Sequence, residues 1–261
     1  MTASYLEDLF GLPGQVAVVI GGTGVLGGAL AQGLAAAGAN VIVAGRSAER
    51  GRACVKQIES QGGRAAFLPA DVESRESIER LLAAALEWGG AVDMLINGAG
   101  VNSAAAYLEV ADDDWERVLR SNLTGVHLGC QVFGRYMVDS RRGGSILNIA
   151  SITAERPLSR VFAYSASKAA VVNLTQNVAR ELAPHQVRVN ALCPGFFPAE
   201  QNRKILDEAR TASVMSQTPM HRFGRPEELV GAALLLLSRR AGSFITGSCV
   251  YVDGGFTAMR L

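Results

Sequence analysis

The sequence contains few cysteines and almost no net charge, and each scarcity argues against a class of protein. Its four cysteines, Cys54, Cys130, Cys193 and Cys249, form no C-x-x-C pair in 261 residues, which argues against a disulfide framework. We therefore expect buried free thiols, a reducing, cytoplasmic compartment and no metal. The formal net charge is +1, and lysine and arginine are scattered, which argues against nucleic acid or a membrane surface as a partner.

Long hydrophobic runs and targeting signals are also scarce. The longest apolar run, Leu229 to Leu237, is too short to cross a bilayer. No basic segment followed by an apolar one opens the chain, so we expect no signal peptide. No linker, repeat or low-complexity segment divides the sequence, and its length suits one α/β domain. We predict a single domain over residues 1–261.

Short apolar runs alternate with amphipathic segments along the chain. The runs are rich in β-branched residues, which is typical of buried parallel strands, and the segments between them have helical periodicity. This alternation predicts an α/β fold with one doubly wound parallel sheet of the Rossmann type, about seven strands and helices on both faces. The predicted strands are 15–20, 41–45, 65–70, 92–96, 145–150, 187–192 and 249–252. We also expect a short arm at 1–14, one long helix at 112–140 and an irregular segment at about 196–225.

A glycine-rich turn follows the first predicted strand. It reads Gly21-Gly-Thr-Gly-Val-Leu-Gly27 and opens an alanine-rich helix. Strand, glycine-rich turn and helix are the context of a dinucleotide-binding motif, because the backbone can approach a pyrophosphate and the helix N-terminus offers free N–H groups. An ordinary turn is the alternative, but five glycines at positions 21–28 favour a cofactor site. Its predicted members are Gly21, Thr23, Gly24, Val25, Leu26 and Gly27.

The end of the second predicted strand bears on the choice of cofactor. NAD-selective sites usually carry Asp or Glu here to take the ribose hydroxyls, whereas this chain has Gly45, Arg46 and Ser47. A guanidinium binds a 2′-phosphate through charge-assisted hydrogen bonds, and a carboxylate would repel it. We therefore predict NADP as the preferred cofactor and NAD as the second choice. If Arg46 is only a solvated surface residue, the preference stays open.

Tyr164 and Lys168 stand four residues apart in a segment, Val161 to Ala183, that lacks internal glycine and proline. The segment is predicted to be a helix, and the spacing puts phenol and ammonium on one face. A neighbouring ammonium favours the phenolate, so we expect a lowered tyrosine pKa and a proton exchanged near neutral pH. Ser151 ends the preceding strand, where its hydroxyl could hold a carbonyl or alcohol oxygen. Alone, Tyr-x-x-x-Lys is a weak signal, because long helices contain it by chance.

Taken together, these pieces resemble the short-chain dehydrogenase/reductase family from about Leu12 to Gly255. The matching segments are the glycine-rich turn, Asp71-Val72, Asn97-Gly-Ala-Gly100, Asn122, Ser151, Tyr164-x-x-x-Lys168, Pro194-Gly195 and Val252-Asp-Gly-Gly255. The resemblance implies that Tyr164 is the catalytic acid or base and that Lys168 lowers its pKa and binds the nicotinamide ribose. It further implies that Ser151 orients the reacting oxygen and that Asn122 holds a water in a proton relay.

The resemblance also implies cofactor contacts at the carboxyl ends of the strands. Asp71 would meet the adenine, and residues 97–100 would flank the adenosine ribose. The further implied cofactor residues are Ser47, Val72, Asn97, Ala99, Gly100, Pro194, Gly195 and Phe197. Family members pair through helices that correspond to 112–140 and 160–183, so a homodimer or homotetramer is implied as well.

The substrate is less clearly indicated. The variant order of glycines at 21–27 and the run Pro194-Gly-Phe-Phe-x-x-Glu-Gln-Asn-Arg203 resemble the branch of the family that acts on sugar acids, such as fructuronate (mannonate) oxidoreductases. Ala199 stands where the family often has a threonine beside the nicotinamide amide. The candidate substrate residues are Asn102, Ser103, Gln201, Asn202 and Arg203, the last three in a predicted lid at about 196–225.

Three readings of the function follow from these residues. The first is an oxidoreductase acting on a sugar acid, aldose or polyol, with small molecules as its only ligands. The second is a reductase of apolar ketones or 3-oxoacyl thioesters, which Phe196 and Phe197 allow, and which makes the polar residues at 201–203 the solvated face of a lid helix. The third is a cofactor-sensing protein without catalysis, and such a protein would have no need of the Tyr164 phenol.

Overall fold

A single parallel sheet forms the centre of the computed structural model, which describes residues 3–197 and 208–259. The strands in these residues are β1 Val16–Ile20, β2 Asn40–Gly45, β3 Arg64–Pro69, β4 Met94–Asn97, β5 Gly144–Ile149, β6 Val187–Pro194 and β7 Cys249–Val252. Their order in the sheet is β3-β2-β1-β4-β5-β6-β7, and every neighbouring pair is parallel. The predicted doubly wound sheet is confirmed.

Helices cover both faces of the sheet, as predicted. Those in the described residues are α1 Ala3–Phe10, α2 Val25–Ala36, α3 Ala48–Ser60, α4 Arg75–Gly89, α5 Asp112–Leu119, α6 Gly125–Asp139, α7 Phe162–Leu182, α8 Glu208–Gln217 and α9 Val230–Leu237. None of the helices in this part of the chain has the length and apolar character needed to cross a membrane.

Alternate residues of each strand pack into two separate cores, one on each face of the sheet. Val18 and Ile20 of β1 pack with α4, α6 and α7, whereas Ala17 and Val19 pack with α2, α3 and α9. Successive side chains of a strand point to opposite faces, so a strand covered on both faces is apolar at most positions. This explains why the strand sequences are mostly apolar, and the buried polar exceptions, such as Asn148 in β5 and Asn190 in β6, form hydrogen bonds.

The N-terminal segment forms a helix, α1, where the sequence predicted only an arm. The carbonyl oxygen of Leu9 accepts hydrogen bonds from Ser238 Oγ at 2.6 Å and from Ala241 N at 3.3 Å. Asp8 forms an ion pair with Arg240. The partner of Leu9 lies 229 residues away in the sequence, so the contacts that dock this helix have no signal in the local pattern.

Two other boundaries also differ from the prediction. The long helix expected at 112–140 is interrupted between α5 and α6 by a π-helical turn, Arg120–Thr124. The segment at about 196–225, expected to be irregular, contains α8. α8 is docked by tertiary contacts, because Arg210 Nη2 donates to the Ser159 carbonyl oxygen at 2.6 Å and Val214 is buried.

Candidate active site

The carboxyl ends of β1, β4, β5 and β6 enclose a cleft of about 280 Å³. The strand order reverses between β1 and β4, and ligands of open α/β sheets bind at such a switch point. Predicted site residues from distant parts of the chain line this cleft together: Gly21, Thr23, Gly24, Val25, Leu26, Gly27, Gly100, Ser151, Tyr164, Lys168, Pro194, Gly195 and Phe197.

The glycine-rich turn lies against the loop that follows β4. Gly21 has a φ of +85°, and a Cβ at this position would lie 2.5 Å from the carbonyl carbon of Gly98, so only glycine fits. The turn leads into α2, whose N-cap Gly24 has no side chain to cap the helix. The first N–H groups of α2 are therefore offered to the cleft, where they and the helix dipole can bind a phosphate.

A second cleft, of about 160 Å³, adjoins the first and shares its glycine-rich wall. It is lined by the remaining predicted cofactor residues that follow β2, β3 and β4: Arg46, Ser47, Asp71, Val72 and Ala99. Arg50 lines both clefts, although the sequence reasoning did not single it out. It lies in the first turn of α3, and a second arginine so soon after Arg46 at the end of β2 was the available signal.

Asn97 was predicted to contact the cofactor, but it lines neither cleft. Its side chain is buried beneath the cleft, where Nδ2 donates to Asn148 Oδ1 at 2.9 Å. Asn148 Nδ2 in turn donates to Thr175 Oγ1 at 2.9 Å. These amides connect β4, β5 and α7, so Asn97 supports the site from below, while Ala99 and Gly100 of the same motif reach the clefts.

Lys168 is buried and anchored at the end of β5. Nζ donates to the carbonyl oxygen of Ile149 at 2.7 Å and lies 5.5 Å from the centre of the Tyr164 ring. Burial lowers the pKa of Lys168 to about 8, because desolvation disfavours the charged form. The amine therefore remains mostly protonated at pH 7 and loses its charge as the pH rises through about 8.

Tyr164 shares the cleft with Lys168, but the direction of its pKa shift contradicts the sequence-based expectation. Burial is the largest cause and raises the pKa of the phenol, while its hydrogen bond with Ser151 acts in the opposite direction. The Lys168 ammonium lies over the Tyr164 ring, 5.5 Å from its centre, and donates to the Ile149 carbonyl oxygen. In this state the phenol holds its proton at neutral pH, as a proton donor requires.

Ser151 lies at the junction between β5 and the segment that leads to α7. Its side chain is buried, and Oγ accepts a hydrogen bond from Thr153 N at 3.2 Å. The Thr153 N–H uses one lone pair of the Ser151 oxygen and leaves the hydroxyl proton available to donate. The Ser151 side chain is also hydrogen-bonded to Tyr164. A hydroxyl and a phenol at one end of the cleft can hold the same oxygen atom of a substrate.

Asn122 lies in the π-helical turn that interrupts the predicted long helix. Its side chain is fully buried, accepts from Val101 N at 2.7 Å and donates to the Val101 carbonyl oxygen at 2.9 Å. Nδ2 also lies 3.1 Å from Ser167 Oγ. The Asn122 amide thus joins the loop after β4 to α7. The widened turn that carries it interrupts the helix predicted at 112–140, and such turns are typical of functional sites.

The proposed substrate residues are less well placed. Asn102 and Ser103 are partly exposed, and the Asn102 amide oxygen accepts from Ser103 N at 2.8 Å. Neither residue lines the cleft that holds Tyr164. Gln201, Asn202 and Arg203 lie outside the described residues, as does Ala199.

Comparison with known proteins agrees with this geometry. The family model described as Enoyl-(Acyl carrier protein) reductase matches residues 23–257. The uncharacterized oxidoreductase UxuB of Bacillus subtilis (strain 168) is 41% identical over 268 residues, which cover 95% of this chain and 96% of that protein. The 5-keto-D-gluconate 5-reductase of Escherichia coli (strain K12) is 35% identical over 251 residues, which cover 96% of this chain and 98% of that protein.

A solved structure also matches along its whole length. The crystal structure of a gluconate 5-dehydrogenase from Burkholderia cenocepacia J2315, in complex with NADP and tartrate, matches with a TM-score of 0.93 and 32% identity, covering 98% of this chain and 100% of that one. The fold, the cleft at the switch point and these matches lead to one conclusion. The chain belongs to the short-chain dehydrogenase/reductase family and is an oxidoreductase that uses a nicotinamide cofactor.

Proposed function

We propose that the chain is an NADP-dependent oxidoreductase that interconverts a hydroxyl and a carbonyl group of a sugar acid. The observation that carries the proposal is the shared cleft. Tyr164, Lys168 and Ser151 open onto the same space as the uncapped N-terminus of α2. A proton donor and a phosphate-binding helix end are thereby brought to one ligand-sized cavity.

The residues of the cleft fit a dinucleotide. Gly21 keeps the backbone clear of side chains, the N–H groups of α2 suit a pyrophosphate, and Asp71 and Arg46 both line the second cleft. A bound nicotinamide would supply or accept the hydride. The remaining cofactor contacts would come from the lining residues named above, with Pro194, Gly195 and Phe197 on the Tyr164 side.

The chain's own residues would handle the proton. In reduction, Tyr164 gives its phenolic proton to the oxygen of the carbonyl as the carbon receives the hydride, and in oxidation it takes that proton back. The Ser151 hydroxyl donates to the same oxygen and orients it. Lys168, held by Ile149, keeps a positive charge near the phenolate. The widened turn at Asn122 is where we propose that a relay water returns the proton to solvent.

The preference for NADP is proposed from the end of β2. A Cβ at Gly45 would lie 2.7 Å from Thr23 Oγ1, so the acidic side chain of an NAD-selective site has no room unless Thr23 moves. Arg46 is exposed at the edge of the second cleft, where a guanidinium can pair with a 2′-phosphate. The NADP bound to the Burkholderia relative is consistent with this preference.

The substrate class is proposed from the relatives and from the polar groups of a cavity next to Phe197. Two of the similar proteins are named for gluconate or its keto form, which favours a sugar acid over an apolar ketone or acyl thioester. Next to Phe197, a cavity of about 370 Å³ is lined by Thr218, Arg222 and Asp253 as well as by Phe196. We propose that the segment at about 196–225 acts as a lid over this side.

The groove between α6 and α7 supports the proposal of a homodimer or homotetramer. It has a volume of about 420 Å³ and is lined by apolar Val138, Val178 and Leu182 together with charged Arg135 and Glu181. A second copy that packed its own α6 and α7 here would bury this surface. Light scattering is expected to give at least twice the mass of one chain, and a monomer would contradict the proposal.

Free thiols at all four cysteines support a cytoplasmic location.

A substrate panel tests the proposed activity. The purified protein is mixed with NADPH or NADP and with sugar acids, keto sugar acids, aldoses, polyols, cyclic ketones and a 3-oxoacyl thioester, and absorbance at 340 nm is followed. We expect the highest kcat/KM with a member of the sugar-acid series. A preference of tenfold or more for an apolar ketone or the thioester would contradict this and establish the alternative reading.

Replacing Arg46 by alanine tests the cofactor preference. Loss of a charge-assisted contact to the 2′-phosphate should weaken NADP binding roughly ten- to a hundredfold, while NAD, which lacks that phosphate, should bind as before. Dissociation constants are measured by fluorescence titration. Arg52→Ala, which removes an exposed arginine of the adjoining helix α3 outside the lining of the second cleft, is the matched control. If NAD binds the unaltered protein more tightly than NADP and Arg46→Ala changes neither, Arg46 has no phosphate role.

A further inference from the structure

Arg50 lies where the two clefts of the candidate active site meet. Most of the residues that line both clefts are glycines, and the shared set is Gly21, Thr23, Gly24, Arg50, Gly98 and Gly100. Among the described residues, Arg50 is therefore the one charged residue common to both linings. It also lines a groove of about 700 Å³ between α2 and α3, which starts at the same glycine-rich turn. Arg50 is thus placed at the passage from one cleft to the other.

The packing of α3 against α2 explains this placement. The two helices follow neighbouring parallel strands and cover the same face of the sheet, so they run in the same direction. They contact each other at two levels. Gln32 Nε2 of α2 donates to Gln57 Oε1 of α3 at 3.1 Å, and Cys54 Sγ of α3 lies 3.9 Å from the Gly28 carbonyl oxygen of α2. The two contacts are about one helical turn apart.

One further turn towards the N-termini brings Arg50 level with Gly24. Arg50 precedes Cys54 by four residues, and Gly24 precedes Gly28 by four residues, so each pair repeats one helix face. Gly24 is the N-cap of α2 and has no side chain to cap the helix. Arg50 and the free N–H groups of α2 therefore flank the same opening.

The position of Arg50 within α3 is unusual for a cation. It is the third residue of the helix, and its N–H donates to Oγ of the N-cap Ser47 at 3.4 Å. The first turn of a helix favours acidic side chains and disfavours basic ones, because the N–H groups there carry a partial positive charge. A guanidinium beside the starts of two helices gains from an anion in the opening, because all three attract it.

The part of a dinucleotide that passes between the clefts is its pyrophosphate. The catalytic cleft contains Tyr164 and Lys168, next to which we place the nicotinamide half, and the second cleft is lined by Arg46 and Asp71, which we assign to the adenosine half. The pyrophosphate joins the two halves and carries a negative charge on each phosphate. A planar guanidinium binds phosphate oxygens through two parallel hydrogen bonds.

We propose that Arg50 binds the pyrophosphate of the nucleotide cofactor at the junction of the two clefts, beside the N-terminus of α2. The inference rests on the proposed function for the cofactor and its orientation. It gives Arg50 a part distinct from that of Arg46, because the 2′-phosphate assigned to Arg46 is present in NADP alone, whereas NADP and NAD share the pyrophosphate. Arg50 therefore sets the affinity for both nucleotides without choosing between them.

The test compares ligands that carry different phosphates. NADP, NAD and adenosine 2′-monophosphate are titrated by calorimetry into the full-length protein. For Arg50→Gln we expect the dissociation constants of NADP and NAD to rise by the same factor, roughly tenfold or more, and that of adenosine 2′-monophosphate, which has no pyrophosphate, to stay within about twofold. Arg46→Ala should show the opposite pattern, with weaker NADP and adenosine 2′-monophosphate and unchanged NAD.

Two further variants separate charge, geometry and folding. Arg50→Lys keeps the charge without the planar fork, so its affinities for NADP and NAD should lie between those of the unaltered protein and of Arg50→Gln. Arg52→Gln removes an exposed arginine of α3 that lines neither cleft, and it should leave all three dissociation constants unchanged.

Three outcomes would overturn the inference. Weaker NADP and adenosine 2′-monophosphate with unchanged NAD in Arg50→Gln would mean that Arg50 contacts the 2′-phosphate. Equal losses for all three ligands would mean that the substitution only disturbs α3. Unchanged constants, or no binding of either dinucleotide by the unaltered protein, would mean that Arg50 has no pyrophosphate contact. The proposed function fails separately, if both dinucleotides bind in an Arg50-dependent way but no sugar acid supports NADP reduction or NADPH oxidation.

Discussion

The hydrogen bond from Lys168 Nζ to the Ile149 carbonyl oxygen is the contact on which the rest of the site depends. It ties the first part of α7 to the carboxyl end of β5 inside a buried environment, where an ammonium without a partner would be strongly destabilising. Tyr164 lies one turn before Lys168, and Ser151 follows the end of β5. One backbone carbonyl therefore helps to fix the distance between the Tyr164 phenol and the Ser151 hydroxyl, which we propose hold the reacting oxygen.

Polar side chains beneath the cleft hold the surrounding elements in the same arrangement. The chain of amides from Asn97 through Asn148 to Thr175 connects β4, β5 and α7, and Asn122 binds the loop after β4 to Ser167. Such buried networks are stable only when every member finds its partner. They therefore favour one placement of α7, which gives the proposed catalytic groups a fixed geometry.

Much of this could be predicted from the sequence, because the relevant signals are local. Mostly apolar runs predicted all seven strands, and the positions of the glycines at 21–27 and of Arg46 directly after two of those runs indicated a cofactor site. The pair Tyr164 and Lys168 gained weight only together with the other motifs. The sequence-based predictions were incomplete or wrong where long-range contacts determine the structure. The docking of α1, the break at Asn122, the inward turn of Asn97 and the raised pKa of Tyr164 all depend on partners distant in sequence or on burial.

The most direct test of the account replaces Tyr164 by phenylalanine, which removes one hydroxyl and leaves the ring. Turnover with NADPH and the best carbonyl substrate is followed at 340 nm, and NADPH binding is measured by fluorescence. Tyr107→Phe serves as the control, because its ring packs on Phe162 at the start of α7 and is largely exposed. If Tyr164 transfers the proton, its replacement lowers kcat roughly 10²- to 10⁴-fold with NADPH affinity unchanged. Turnover within a few-fold of the unaltered protein would contradict the proposed chemistry.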